Sequence, residues 1–368
     1  EKRQAITGTA TREAYRNGLR ASYSPIITVS SGPKTGAYAG RSSAVEVTIK
    51  VHQPALFSAI FRSEPVAITA RAVAEVRLKA NACVLATSKT LPKAARIPGT
   101  ASVDLNDCAL ASNSDAVNAI SLEGSAEIKA ETLWTMGQLN RENSVTLDLK
   151  KPAVTEAWEI KDPYADLTIP ALNTCDHNAL TVGGGKAGTT VTLKPGIYCN
   201  GLNFEGKNKV KLDPGTYYIN GGDLQIKGQV KVECNCFSPT DGVTFVLTNT
   251  SDPTKTGSAY IAGSATVVLR APTSNLFEYP GVLIHQDPRV TELGPSSIEG
   301  GSNIRLAGAL HFPNQALRFA GNNSTASIQC LIVIGKTVEF TGTTNLVNSD
   351  CKAAGIKTVS LEGVFLVE

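Results

Sequence analysis

Four histidines and a set of dispersed aspartates are the residues that could carry acid–base or metal chemistry in this chain. His285 and His311 fall within strand patterns and could align on neighbouring strands. Two aligned imidazoles can bind a metal ion or can stack on a partly exposed face. We favour stacked side chains, because stacking along strands is the more ordinary arrangement. His52 lies in an N-terminal module, and His177 follows Asp176 in a segment that fits a loop better than a set of metal ligands.

Carbohydrate chemistry would need carboxylates that the sequence does not group together. Glycoside hydrolysis requires two carboxylates at a defined separation, and the clustered N-x-D, D-D and G-H-G motifs of pectinase-like enzymes are missing. A calcium-dependent lyase would need several aspartates and an arginine on one face. The aspartates are instead spread along predicted turns: Asp213, Asp223, Asp241 and Asp252. Neither a phosphate-binding loop nor a G-x-S-x-G motif occurs, so we predict a non-enzymatic protein with no catalytic, cofactor-binding or metal-binding residues.

Six of the eight cysteines form three pairs, separated by 25, 24 and 21 residues: Cys83 and Cys108, Cys175 and Cys199, and Cys330 and Cys351. The chain contains no C-x-x-C pair, which is the usual sign of a cytosolic metal site. We predict that these pairs are disulfides and that the chain lies in an oxidising, extracytoplasmic compartment; eight reduced core cysteines are the alternative. Cys234 and Cys236 form C-x-C and could pair together, pair elsewhere or stay free.

Composition excludes several classes of protein. The chain has 368 residues, 42% of them hydrophobic, and a net charge of +3, which is typical of a folded chain. Because 35 Lys and Arg residues are balanced by 32 Asp and Glu residues, nothing favours nucleic-acid binding. No apolar run approaches the ~20 residues of a membrane helix, and no signal-peptide pattern occurs. The chain begins with Glu1, so we expect that an upstream segment was removed by processing or truncation.

Residues 1–79 differ in pattern from the rest and predict a small α+β module. A polar, alanine-containing helix is expected over 3–19 and a short second helix over 55–61. Strands are expected over 26–30, 44–52 and 66–78, and the second of these alternates apolar and polar residues.

From about residue 80 the chain consists of short strand patterns punctuated by Gly, Asn, Asp and Pro. An L-x-P-G-x-Y element occurs at 193–198 and again at 212–217, a period of 19 residues. Such a period indicates a solenoid, because one coil buries little apolar surface while stacked coils share a continuous core. We predict a mainly β fold in which a right-handed parallel β-helix spans 80–368, stapled by the disulfides. A β-sandwich is the alternative.

One charged segment, 150–175, interrupts the repeat. We predict that it is a loop that leaves one coil and returns to the next, packed down by Trp158 and Tyr164; a partner-binding role is the alternative. The final strand, 358–367, is expected either to cap the stack or to extend into a partner.

Several segments, in this order, carry a resemblance that covers nearly the whole chain: 12–19, 44–49, 57–61, 68–74, 83–86, Cys108, 113–114, 162–167 and the two P-G-x-Y turns. The chain resembles the TadE/TadG-like proteins of tight-adherence (Flp) pilus systems, especially TadG-like proteins with a C-terminal β-helix. Residues 12–19 look like the end of the family's long N-terminal helix, and 44–74 look like its N-terminal module. The hydrophobic N-terminal anchor of the family is missing here, which leaves open whether the protein stays membrane-bound or is released.

The resemblance implies an inner-membrane-anchored, periplasm-facing or cell-surface protein without catalytic residues. The expected partners are pilus or envelope proteins, with self-assembly into an oligomer or filament left open. No nucleic-acid partner is expected, and membrane contact is expected only through the missing anchor. A glycan-binding surface adhesin is the second hypothesis, and a carbohydrate-active β-helix enzyme is the third.

Overall fold

A computed structural model describes residues 2–53, 65–105, 107–183, 188–291, 294–301, 303–321, 323–324, 330–346, 351 and 355–368, without the side chains of 2–5, 77–79, 321, 323–324 and 365. The helix predicted over 55–61 lies outside these residues. The chain divides into two compact units: unit 1 contains Glu1–Lys79 and Glu362–Glu368, and unit 2 contains Ala80–Leu361. Within the described ranges, no helix is both long and apolar enough to cross a membrane.

Unit 1 contains the α-helix and an antiparallel sheet: α1 (Lys2–Arg16), a 3-10 helix (Ala21–Tyr23), β1 (Ile26–Ser31), β2 (Ala44–Gln53) and the first part of β3 (Val66–Ala86). β2 pairs with both β1 and β3. Arg71 donates to Glu46 (Nε–Oε1 3.2 Å) and to Glu368 (Nη1–Oε2 2.6 Å), and the Glu368 carbonyl accepts from the Val73 amide at 2.7 Å. The last residues of the chain are therefore tied to β3 within this unit.

Unit 2 contains the end of β3, a 3-10 helix (Pro253–Lys255) and the remaining strands: β4 (Ala95–Ile97), β5 (Ser102–Leu105), β6 (Ala109–Ser112), β7 (Ile120–Leu122), β8 (Glu127–Ala130), β9 (Leu133–Thr135), β10 (Leu139–Arg141), β11 (Thr146–Leu149), β12 (His177–Val182), β13 (Thr190–Leu193), β14 (Gly196–Phe204), β15 (Lys209–Leu212), β16 (Gly215–Asn220), β17 (Leu224–Ile226), β18 (Lys231–Cys234), β19 (Val243–Thr248), β20 (Ala259–Ile261), β21 (Thr266–Arg270), β22 (Val282–Gln286), β23 (Ser296–Gly300), β24 (Ile304–Gly321), β25 (Asn323–Ser324), β26 (Leu331–Phe340), β27 (Thr343–Asn345) and the start of β28 (Val359–Leu366).

Parallel ladders organise these strands. Ladder A runs through β9, β6, β3, β26, β24, β22, β19, β16, β14 and β12. Ladder B runs through β10, β7, β4, β26, β24, β23, β20, β17, β14 and β12. Ladder C joins β13, β15, β18, β21 and β24, and ladder D joins β11, β8, β5, β27 and β25. Alternate side chains such as Tyr217, Phe245 and Ile284 point inward and form one core.

The prediction of a right-handed parallel β-helix is wrong, although the mainly β character is confirmed. Hydrogen-bonded neighbours lead from β14 through β16, β19, β22, β24, β23, β20 and β17 back to β14, so eight parallel strands form a closed β-barrel to which the other strands are added. Closure follows from the length of β14 and β24. Each of them continues from ladder A into ladder B as one strand, past Asn200 and Gly201 in β14 and past Pro313 in β24.

The ladders also do not follow the order of the chain. β26 pairs on its second edge with β3 and β4, so the strands of residues 80–149 continue the ladders beyond residue 340. Residues 150–176, which we call the strap, therefore connect β11 at one end of the ladders to β12 at the other end. The sequence predicts a loop that returns to the next coil. The strap does not do so, because β11 and β12 lie at opposite ends of the ladders.

Four disulfides lie in this framework: Cys83–Cys108, Cys175–Cys199, Cys234–Cys236 and Cys330–Cys351. Three of them are the pairs that the sequence spacing favoured, and the fourth joins the two cysteines of C-x-C. Cys175–Cys199 fixes the end of the strap to β14. Four disulfides indicate an oxidising, extracytoplasmic compartment.

Candidate functional site

His285 and His311 lie in register on neighbouring strands, β22 and β24. Their Nδ1 atoms are 2.8 Å apart and their rings are stacked with centroids 5.0 Å apart. One Nδ1 must donate and the other accept, because two protonated or two bare nitrogens would repel. The predicted stack is present, but it is fully buried rather than partly exposed.

The strap provides the third member of this cluster. His311 Nε2 donates to Asp162 Oδ2 at 2.8 Å, so a hydrogen-bonded chain runs from Asp162 through His311 to His285. Burial, followed by the proximity of His311, lowers the pKa of His285 to about 3, which keeps His285 neutral across the physiological range. Over the part of the chain that the structure describes, no three His, Cys, Asp or Glu side chains are grouped to hold a metal ion.

The strap is held to the rest of unit 2 at six positions along its length. These contacts are Val154 bridged to Trp134, Ile160 hydrogen-bonded to Asn113, Asp162 to His311, Tyr164 to Lys357, Thr168 to Tyr279, and Cys175 bonded to Cys199. Asn113 makes two of these bonds at 2.8 Å, donating to the Ile160 carbonyl and accepting from its amide. Each contact involves a residue far away in sequence, so the strap fixes the relative positions of separate strands.

Beneath the strap lies a column of outward-pointing side chains, one from each strand of ladder A except β12: Ile197, Tyr218, Val246, His285, His311, Ile334, Leu85, Ala111 and Trp134. Every member except Ile197 is buried. Parallel sheets normally have both faces covered, so the burial of this outer column requires a covering element. The strap supplies that cover around the histidines, where Tyr164 packs against His311. Tyr164 is buried as predicted, whereas Trp158 is 74% exposed and does not pack the segment down.

The aspartates, tyrosines and remaining histidines considered in the sequence lie in turns, beside turns or on exposed strand surfaces. Each of the four predicted turn aspartates accepts hydrogen bonds within or beside its turn: Asp213 from Asn235, Asp223 from Ser258, Asp241 from Phe237 and Ser238, and Asp252 from Thr254. The tyrosines of both P-G-x-Y elements donate to the carbonyl four residues earlier, Tyr198 to Lys194 and Tyr217 to Asp213. His52 is exposed on β2, and exposed His177 stacks on Tyr198 with centroids 4.9 Å apart.

A second column, on the outer face of ladder B, was not identified from the sequence. Its members are polar and follow one register: Thr181, Asn203, Gln225, Tyr260, Ser297, Arg318, Glu339, Arg96, Ser121 and Asn140. Shallow grooves of about 520 and 500 Å³ flank Tyr260. Lys227 Nζ lies 5.9 Å from the Tyr260 ring centroid, and the nearby Glu299 carboxylate raises the pKa of Tyr260. The alternation in residues 259–261 indicates that Tyr260 points outward. Nothing in the sequence shows which strands lie beside it, so the column could not be predicted.

Charges in the same column form a network near Arg96. Arg96 donates to Glu123 (Nη2–Oε2 2.7 Å) and to Glu339 (Nη1–Oε2 3.0 Å), and Lys93 Nζ lies 2.8 Å from Glu123. Hydrogen bonds from Arg96 and then Lys93 lower the pKa of Glu123 to about 2. The network joins residues 93–123 to β26 and supports the non-sequential pairing.

The lowered pKa of Glu123 predicts acid sensitivity. The folded pKa lies below the usual value of 4.5, so the ionised carboxylate stabilises the fold above about pH 4.5, and this contribution is lost as the pH falls towards 2. After discounting for solvent screening, we expect about 1 kcal/mol. Urea unfolding of the protein and of Glu123→Gln at pH 7 and pH 3 measures the effect. The stability gap between the two proteins should shrink at pH 3, and a gap that does not change with pH would contradict the assignment.

The histidine cluster and the polar column are thus the two candidate sites on this chain. Comparisons with family models, with curated proteins and with solved structures found no match, so the resemblance to TadE/TadG-like proteins stays a prediction.

Proposed function

We propose that this protein is a non-enzymatic structural component of a cell-envelope apparatus of the Tad (Flp) pilus type. In this proposal the protein works on the extracytoplasmic side, either as a periplasm-facing part of the inner-membrane assembly or at the cell surface. Unit 2 acts as a rigid interaction arm, and pilus or envelope proteins are its partners.

The observation that carries the proposal is the strap. It crosses the strands of ladder A from β9 to β14 and is fixed at intervals by a bridge, hydrogen bonds and a disulfide. The buried His285 and His311 and the partly buried Asp162 are used for this attachment, and both imidazoles lie out of reach of a substrate. The hydrogen bonds between Asp162 and His311 and between His311 and His285 restrict the strap to one arrangement, while His285 Nε2 makes no hydrogen bond within the described residues. Rigidity is what an arm that transmits force or sets spacing needs.

Deletion of the gene from its bacterial host is the test of this function. Electron microscopy and sedimentation of sheared surface material should show loss of surface pili, and the complete gene should restore them. Fractionation of the complemented cells should place the chain in the envelope. Normal piliation after deletion, or a chain confined to the cytosol, would overturn the proposal.

Glycan binding is the second candidate function, and the Tyr260 grooves favour it. A sugar ring can pack on a tyrosine face while amide, ammonium and carboxylate groups bind its hydroxyls, and Gln225, Lys227 and Glu299 surround Tyr260. Binding of the protein to an array of bacterial and host polysaccharides tests this function. Tyr260→Ala should abolish binding, while Tyr15→Ala, which removes a tyrosine that is 42% exposed on α1, should not. Equal binding by both variants, or no binding by the protein, would remove this candidate.

A further inference from the structure

Both ends of the ladders leave strand edges unpaired in the described part of the chain. At one end, β10 pairs only with β7, and β11 only with β8. At the other end, β13 pairs only with β15, and the second half of β12 only with β14. Ladder A differs at the first end, because the strap residue Val154 bridges to Trp134 and covers the edge of β9. Unpaired parallel edges are templates for another strand.

Core side chains are incompletely covered at the same two ends. Leu139, Leu147 and Leu149 point inward at the first end but remain partly exposed, and Leu180 and Val191 do so at the second end. The equivalent residues on interior strands, such as Val210 and Val232, are fully buried. Repetitive strand proteins normally cover such ends with a polar cap. The described residues supply no such cap over ladders B, C and D.

The register of the ladders shows that the two ends are complementary. Following inward positions along ladder B, Leu139 occupies the same column as Leu180. Ladders C and D end in strands of the same alternation, with Val191 and Leu193 inward on β13 and Leu147 and Leu149 inward on β11. If the end strands of two molecules were placed next to each other, apolar side chains would meet apolar side chains. In the same arrangement the outward-pointing Thr146 would lie beside Thr190, and Asp148 would lie beside Thr192. Neither pair would bring two charged side chains together.

We propose that the β10/β11 edge of one molecule pairs in parallel with the β12/β13 edge of a second copy. This inference rests on the proposed structural function and names its partner. Within each of ladders B, C and D all strands are parallel, so the added copy continues each ladder at the usual strand spacing of about 4.8 Å. The contact joins two different surfaces, so it is heterologous and produces a filament rather than a closed dimer. β10 and β11, which the strap separates from β12 and β13 within one molecule, become their neighbours between molecules.

Charge placed at the junction provides the first test. Thr146 and Thr190 are exposed, so their replacement leaves the core of the monomer unchanged. Sedimentation velocity over a range of concentrations should show growing oligomers for the full chain. Thr146→Glu with Thr190→Glu places two carboxylates side by side and should abolish growth, whereas Thr146→Lys with Thr190→Glu should retain it. A chain that stays monomeric at high concentration, or equal growth of both variants, would overturn the inference.

Directed crosslinking tests the geometry independently. A mixture of Thr146→Cys protein and Thr190→Cys protein should give a covalent dimer on mild oxidation, and either variant alone should not, because like ends have the wrong polarity. Dimers from each variant alone would contradict the parallel junction. If the purified chain does not assemble while gene deletion still removes surface pili, the junction is wrong and the structural function stands. If the purified chain assembles but gene deletion leaves surface pili unchanged, the junction stands and the proposed structural function is wrong.

Discussion

Replacing Phe340 with alanine is expected to lower the free energy of unfolding by about 3 to 5 kcal/mol. Phe340 is fully buried at the end of β26 and stacks on Phe319 of β24 with ring centroids 5.3 Å apart. The two residues before it pair with Ala95 and Arg96 of β4. The loss of an aromatic ring at this position opens a cavity where residues 80–149 join the later strands.

Phe237→Ala is the matched control for this substitution. Phe237 is 88% exposed in the loop after Cys236, so its removal should change stability by less than about 0.5 kcal/mol. Urea unfolding followed by circular dichroism measures both variants under conditions that keep the disulfides intact. A loss below 1 kcal/mol for Phe340→Ala, or similar losses for both variants, would contradict the placement of Phe340 in the core.

The second large effect is expected for Asp162→Ala, which should cost about 2 to 3 kcal/mol. The substitution leaves the buried Nε2–H of His311 without its acceptor, and an unsatisfied buried donor carries its full desolvation cost. The strap also loses its central attachment, so amide hydrogens on either side of residue 162 should exchange faster.

Asp166→Ala is the control, because Asp166 belongs to the same strap and is exposed. It should leave both stability and exchange close to those of the unchanged protein. Equal behaviour of Asp162→Ala and Asp166→Ala would mean that the histidine cluster does not hold the strap.

Local features of the fold could be predicted because each has a local physical cause. The alternation in residues 44–52 predicted a strand, and Ala44–Gln53 forms one. The two P-G-x-Y elements were identified as turns, and Tyr198 and Tyr217 lie buried in equivalent positions after them. Cysteine spacings near the length of one repeat favoured the pairs that now appear as Cys83–Cys108, Cys175–Cys199 and Cys330–Cys351.

The order of the strands and the attachment of the strap could not be predicted. Parallel pairing uses backbone groups that every residue has, so nothing in residues 95–96 marks them as neighbours of 338–339. Asp162 and His311 are 149 positions apart, and neither sits in a motif that identifies the other. The closed barrel was missed for a related reason, because the repeat indicates stacked strands but does not show that β14 and β24 continue from one ladder into another.

Hydrogen exchange of the strap, measured by mass spectrometry on the native protein, tests the central claim most directly. The Ile160 amide donates to the Asn113 side chain at 2.8 Å, and the Val154 amide donates to the Leu133 carbonyl at 2.8 Å. If the strap is fixed along ladder A, peptides covering 150–176 should exchange on the timescale of β22 and β24 and should become faster in Asp162→Ala. Exchange of these peptides within seconds, as in an unattached loop, would contradict the account.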